Sequence, residues 1–172
     1  MPYLFPCTIE RLFVVPSRRK SREFVLQVLF AADARNQDPL ETFDFLGEHF
    51  SNEEDEDLKM HRVLKDFARN LVKAVSENKD AIDSLIAMLS HHWKLSRISR
   101  VDRNILRMAI AEFTTFHDVP NKVILNEAIE IGKKFGAENT AAFINGILDK
   151  VHLVETRPHS VAQLLEILQK VD

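Results

Sequence analysis

Apolar residues recur every three or four positions along almost the whole of this chain, and only four glycines and six prolines interrupt its 172 residues. That spacing is the period of a helix face, and no stretch shows the period-two alternation of a half-buried strand. The chain is therefore read as all-α with short loops. Its length allows one domain with a real core, or two small subdomains packed together.

The first helix is expected to start at Ser17, its N-cap, and to end near Arg35. Phe24, Val25, Val28, Ala31 and Ala32 form one stripe on it, while Leu26 and Phe30 lie nearly opposite. Such a helix is either sandwiched between two layers or keeps an apolar patch for a partner. Asp38-Pro39 opens a second helix with Leu40, Phe43, Leu46 and Phe50 inward. A third runs from about Asp55 to Glu77 with Leu58, His61, Leu64, Phe67, Ala68, Leu71 and Val75 on one face, and the acids at 53–57 are solvated charge at its start.

Lys79 to Ser90 makes a fourth helix, through Ile82, Leu85, Ile86 and Leu89. Ser99 and Asp102 have the spacing of a capping box for a fifth, which runs to about Phe116. The sixth, roughly Lys122 to Phe135, is expected to close on Gly136 in the left-handed conformation. Asn139 or Thr140 caps a seventh, with Phe143, Ile144, Ile147, Leu148 and Val151 apolar, and Ser160 to Lys170 forms a last amphipathic segment. An interior glycine costs a helix about 1 kcal/mol relative to alanine, so Asn145-Gly146 implies a close approach, by a neighbouring helix or by a nucleic-acid backbone.

The net charge of −3 conceals a segregation. Residues 11–35 carry six Arg/Lys against two acids, whereas residues 38–57 carry nine acids and no Arg or Lys. Arg18, Arg19, Lys20 and Arg22 occupy the start of the first helix, where each cation opposes the helix dipole by roughly 0.3–1 kcal/mol. A polyanion would turn that fault into a site, because helix-start N–H groups and guanidinium forks both suit phosphate. Arg100, Arg103 and Arg107 form a second basic row opposite the apolar face of the fifth helix and read as a solvated flank. Lys133 and Lys134 complement the C-terminal end of the sixth.

Nothing in the sequence calls for catalysis, a metal or a cofactor. His91 and His92 are sequential and diverge if helical, and no second cysteine or HExxH spacing completes a zinc site. Glu127 and Glu130 near a helix start complement the dipole. Cys7 stands alone, so no intramolecular disulfide forms and the cytoplasm is the expected compartment. The apolar opening, residues 1–16, is too short and too interrupted for a membrane span and reads as a loosely ordered extension.

Three blocks, SRRKSREFVLQVLF, SRVDRNILRMAIAEF and DVPNKVILNEAIEIGKKFGAENTAAFINGILDKV, resemble the NusB family of bacterial transcription antitermination factors over roughly residues 17–155. The resemblance implies two perpendicular three-helix subdomains, about 17–77 and 78–155, and leaves out the first 16 residues and the C-terminal amphipathic helix within 156–172. It implies a non-enzymatic factor that binds single-stranded boxA-type RNA of ribosomal RNA leaders. The partners it implies are the small-subunit ribosomal protein NusE and an RNA polymerase elongation complex with other Nus factors.

By motif, Arg18, Arg19, Lys20 and Arg22 match the family's arginine-rich RNA-binding start. Asn139, Phe143 and Asn145 lie in a block resembling the second part of the RNA surface. Phe30, where the family usually has Tyr, and Asp102 with Arg103 match the side that faces the ribosomal protein. Ala142 departs from the Lys common in the family, which implies fewer phosphate contacts there. Two other readings are a purely structural helical adaptor docking through residues 38–57, and the RNA-docking module of a ribosomal RNA methyltransferase, which would need a further α/β domain.

Overall fold

The computed structural model describes residues 18–51, 62–90, 94–154 and 158–170. Among these residues there are only helices and turns: α1 Arg18–Arg35, α2 Pro39–Ser51, α3 Arg62–Glu77, α4 Lys79–Leu89, a 3-10 turn Leu95–Arg97, α5 Arg100–Thr115, α6 Asn121–Phe135, α7 Thr140–His152 and α8 Val161–Gln169. The expected cap at Ser17, the acids at 53–57, His91-His92 and the first 16 residues lie outside the described residues. None of the described helices is long and apolar enough to cross a membrane.

Local chemistry sets most boundaries. Asn36 adopts a left-handed φ of 53° after α1, and the Gln37 N–H donates to the Ala32 carbonyl, an arrangement that ends a helix by satisfying its last free acceptors. The Asp38 carboxylate accepts from the N–H groups of Leu40 and Glu41 at 2.8 and 2.9 Å, which starts α2. Ser160 caps α8 by accepting from the Gln163 N–H at 3.1 Å. Ser99 accepts from the Asp102 N–H at 3.0 Å, half of the expected box. The Asp102 carboxylate instead accepts from the Thr140 hydroxyl at 2.7 Å, tying the start of α5 to the start of α7.

Gly136 is a correction. Its φ of −93° and ψ of −179° are extended, so conformational freedom does not explain it. Space does, because a Cβ built there would lie 2.4–2.5 Å from the Thr140 side chain. The helix α7 can therefore fold back tightly after α6. Gly146 is the opposite case: nothing approaches within 4 Å of its missing Cβ, so no neighbouring helix accounts for it.

α1, α2 and α3 pack on one another, α5 lies against α1, α3, α4, α6, α7 and α8, and one core runs through all of them. Every residue of α5 from Asn104 to Thr114 is buried. α1 is sandwiched, with Val25, Leu26, Val28, Leu29 and Ala32 buried, and Phe30 is 40% exposed. α8 covers α4 and α5 through Val161, Leu164 and Leu168. At its entry His159 Nδ1 meets His117 Nε2 at 3.1 Å.

Being enclosed changes the fate of α5's basic row. The Arg107 side chain, 5% exposed, binds Asp83 of α4 at 2.7 and 2.6 Å and Asp33 of α1 at 2.7 Å. It is a buried clamp and not a solvated flank. Arg103 and Asn104 donate to the same Asp33 carboxylate at 3.3 and 3.2 Å. Burial raises the Asp33 pKa, but Arg107 and the hydrogen bonds from Arg103 and Asn104 outweigh it and hold the carboxyl below its ordinary value.

Two outcomes follow. Gly136→Ala should destabilise the fold by about 1–3 kcal/mol, the usual cost of overpacking, read as a lower midpoint in urea. Because the folded-state pKa of Asp33 is depressed, its contribution is complete above the unfolded carboxylate value of about 3.9 and is lost as pH falls through the lower folded value. The stability of Asp33→Asn should accordingly be lower at neutral pH and should fall less steeply than wild type below about pH 4.

Candidate nucleic-acid interface

The first two turns of α1 lie against α5, the loop after it, and α6, and each element supplies an acid to the basic tip. Arg18 binds Asp118 of the loop at 2.9 Å. Arg19 forms a two-pronged pair with Glu127 of α6 at 2.9 and 2.7 Å. Arg22 forms another with Glu112 of α5, its Nε donating at 2.8 Å, and approaches Glu127 at 3.7 Å. One turn further on, Glu23 pairs with Lys134 near the end of α6 at 2.7 Å.

These pairs differ sharply in burial. The side chains of Arg22 and Glu112 are 3% and 1% exposed, those of Arg19 and Glu127 are 48% and 16%, and those of Arg18 and Asp118 are 47% and 61%. Arg22 is thus corrected from an RNA contact to a structural residue, since a guanidinium sealed between α1 and α5 has no face left for a phosphate. Arg18 and Arg22 share one face of α1, and their guanidiniums lie 5.2 and 5.4 Å from the ring of Phe67 on α3.

Arg18, Arg19, Val119, Pro120, Val123 and Glu127 line an open cleft floored by Arg22 and edged by Asp118. Pro120 precedes α6, and the carbonyl it presents accepts from Val123 and Ile124. Pro120 and Val123 bring the start of α6 to the cleft that Arg18 and Arg19 line, and a helix start adds partial positive charge beside the two half-exposed guanidiniums. The hydrogen bond from Arg19 holds the Glu127 carboxyl below its usual value against the effect of burial, and it raises Arg19 in turn. Lys20 is exposed on the same turn.

The remaining candidates fall elsewhere. Asn139 is exposed at the turn between α6 and α7, Asn145 is exposed on α7, and Phe143 between them is half-buried against the core. From Glu127 to Phe135, α6 advances about 12 Å at 1.5 Å per residue, so Asn139 lies past the far end of the α1–α6 seam. Phe30 stays at the surface with the Arg100 guanidinium 5.6 Å above its ring. Asp102 and Arg103 are half-buried and occupied internally, by Thr140 and Asp33. Asp118 and Glu112 were not singled out by the sequence, because the ranges that pair them with arginines span 90 residues or more.

The class is that of all-α domains, here with two half-exposed guanidiniums at an open cleft beside the first helix. The NusB family model matches residues 19–153, and the chain belongs to the NusB family. It is 45% identical over 135 residues to the transcription antitermination protein NusB of Citrifermentans bemidjiense, covering 78% of this chain and 93% of that one. It superposes on T. maritima NusB with a TM-score of 0.71 at 34% identity, covering 87% and 97% of the two chains. It also shares the fold of the NusB chain crystallised as antitermination factors NusB and NusE with double-stranded RNA, with a TM-score of 0.64 at 24% identity and 78% and 95% coverage.

Removing Glu112 from the sealed pair leaves the Arg22 charge buried with no partner nearer than Glu127 at 3.7 Å. Glu112→Ala should cost about 3–5 kcal/mol in urea unfolding, whereas Arg18→Ala, which breaks an exposed pair, should cost no more than about 1 kcal/mol.

Proposed function

We propose that this chain is an RNA-binding transcription antitermination factor that acts with a NusE-type ribosomal protein in an RNA polymerase elongation complex. The observation that carries the reading is the open cleft in which Arg18 and Arg19 stand half-exposed before the start of α6. Guanidinium forks and helix N-termini grip phosphates without regard to sequence, so they fix the position of a strand. Discrimination then needs unstacked bases, which favours a single-stranded boxA-type element over a duplex.

Asn139 and Asn145 supply exposed amides for base edges beyond the cleft, and Phe143 supplies ring surface for stacking. The ribosomal protein docks on the side of Phe30, where an exposed ring under Arg100 gives an apolar anchor with a cationic rim. The chemistry required is binding and bridging; the protein serves as a factor and not as a catalyst. Work on nascent transcripts places it in the cytoplasm.

The test is a titration of full-length protein with a boxA-type single strand, a scrambled strand and a duplex, with and without the ribosomal protein. Arg18→Ala with Arg19→Ala should weaken binding about tenfold and reduce the slope of log K against log salt by roughly 1.4, from 0.7 per lost phosphate contact. An unchanged slope would remove the cleft from the RNA surface, and no preference for the boxA-type strand would favour a helical adaptor.

A further inference from the structure

We infer that Glu127 is a phosphate mimic that occupies Arg19 in the free protein and hands it over to RNA. The inference rests on the RNA-binding reading of the cleft and concerns how that site is kept closed until the right strand arrives.

Three observations lead there. The first is geometry: Glu127 meets both Nε and the terminal nitrogen of Arg19 at 2.9 and 2.7 Å, the two-pronged arrangement a phosphate would take. The second is the gradation of burial. Arg22 and Glu112 are sealed and cannot exchange partners, whereas nearly half of Arg19 faces solvent, so its end of the pair can turn outward while Glu127 stays in place. The third is what remains after exchange. Glu127 is largely buried and would be costly if stranded, but Arg22 already stands 3.7 Å from Oε2, the oxygen that accepts from Arg19 Nε. When Arg19 turns to a phosphate, Glu127 keeps Arg22 as a neighbouring counter-charge, shared with Glu112.

Asp118 holds Arg18 in the same way at the rim, where water can take over from the arginine because both side chains are about half exposed or more. The consequence is selectivity. A non-specific polyanion must displace carboxylates that are already in place and gains little net charge neutralisation. A strand whose bases also bind beyond the cleft has additional contacts to drive the exchange.

The experiment compares RNA affinity across four forms of the full-length protein: wild type, Glu127→Gln, Arg19→Ala, and the double substitution, each titrated with boxA-type and scrambled single strands at two salt concentrations. Glu127→Gln keeps the shape and removes the charge. It should bind both strands more tightly, by up to about fivefold, the ratio corresponding to an exposed ion pair. The gain should be larger for the scrambled strand, so preference should fall. The gain should vanish in the Arg19→Ala background, because a mimic acts only through the arginine it occupies.

A gain that persists without Arg19 would mean that Glu127 repels RNA generally, and would overturn the inference. So would equal or weaker binding by Glu127→Gln while wild type binds, since Glu127 would then be positioning Arg19 for RNA. Failure of all four forms to bind any strand would instead overturn the functional reading, and the exchange would fall with it.

Discussion

The fold depends on the antiparallel pairing of α1 with α5 through two sets of charges, one sealed and one largely buried. Arg22, early in α1, meets Glu112, late in α5, while Asp33, late in α1, meets Arg103 and Arg107, early in α5. Apolar packing alone tolerates a slide, because one leucine fills a hole much as another does. Charges of alternate sign do not. A shift of one turn would leave Arg22, Glu112 and Arg107 buried without partners, at several kcal/mol each. The charge pattern therefore selects one register from several that the hydrophobic pattern would accept, a role best documented for single polar residues in coiled coils. The helices α3, α4, α6, α7 and α8 also pack on α5, which is buried from Asn104 to Thr114, while α2 rests on α1 and α3.

That enclosure explains where sequence reasoning succeeded and where it failed. Helix order and most ends were legible because they are local: Asp38, Ser99 and Ser160 cap within three residues, and the inward faces of α3 and α4 follow the apolar period. The row Arg103 and Arg107 was misread because a helical wheel assumes one apolar neighbour and one solvent side. α5 has neighbours all round, so its second face holds charge in a dry setting. Gly136 was read through its torsion freedom when its lack of a Cβ is what matters, and only the position of Thr140 reveals that.

The candidate site was half legible for the same reason. A run of cations at a helix start is visible in any sequence, and so is its conflict with the dipole. The acids that relieve the conflict come from positions 112, 118 and 127, on three other elements, and no local rule links them to residues 18–22. The run itself is as compatible with a frayed, solvated helix start as with a phosphate site, and it carries no sign of pairing to acids elsewhere in the chain. Burial divides the run: Arg22 belongs to the scaffold, and Arg18 and Arg19 remain at the surface.

A basic tip neutralised from within also answers how a protein with a net charge of −3 can approach a polyanion selectively. A bare cluster of four cations would attract any RNA, with a strong salt dependence and little discrimination. Covering two of its guanidiniums with carboxylates lowers that background attraction, and holding the third in a sealed pair keeps the backbone of α1 fixed for the exchange proposed at the outer two. Rigid placement is what makes the exchange specific, since a guanidinium on a frayed helix end would follow any phosphate. The buried pair that sets the register of α1 on α5 thereby also sets the position from which Arg18 and Arg19 reach out, so stability and recognition draw on the same contact.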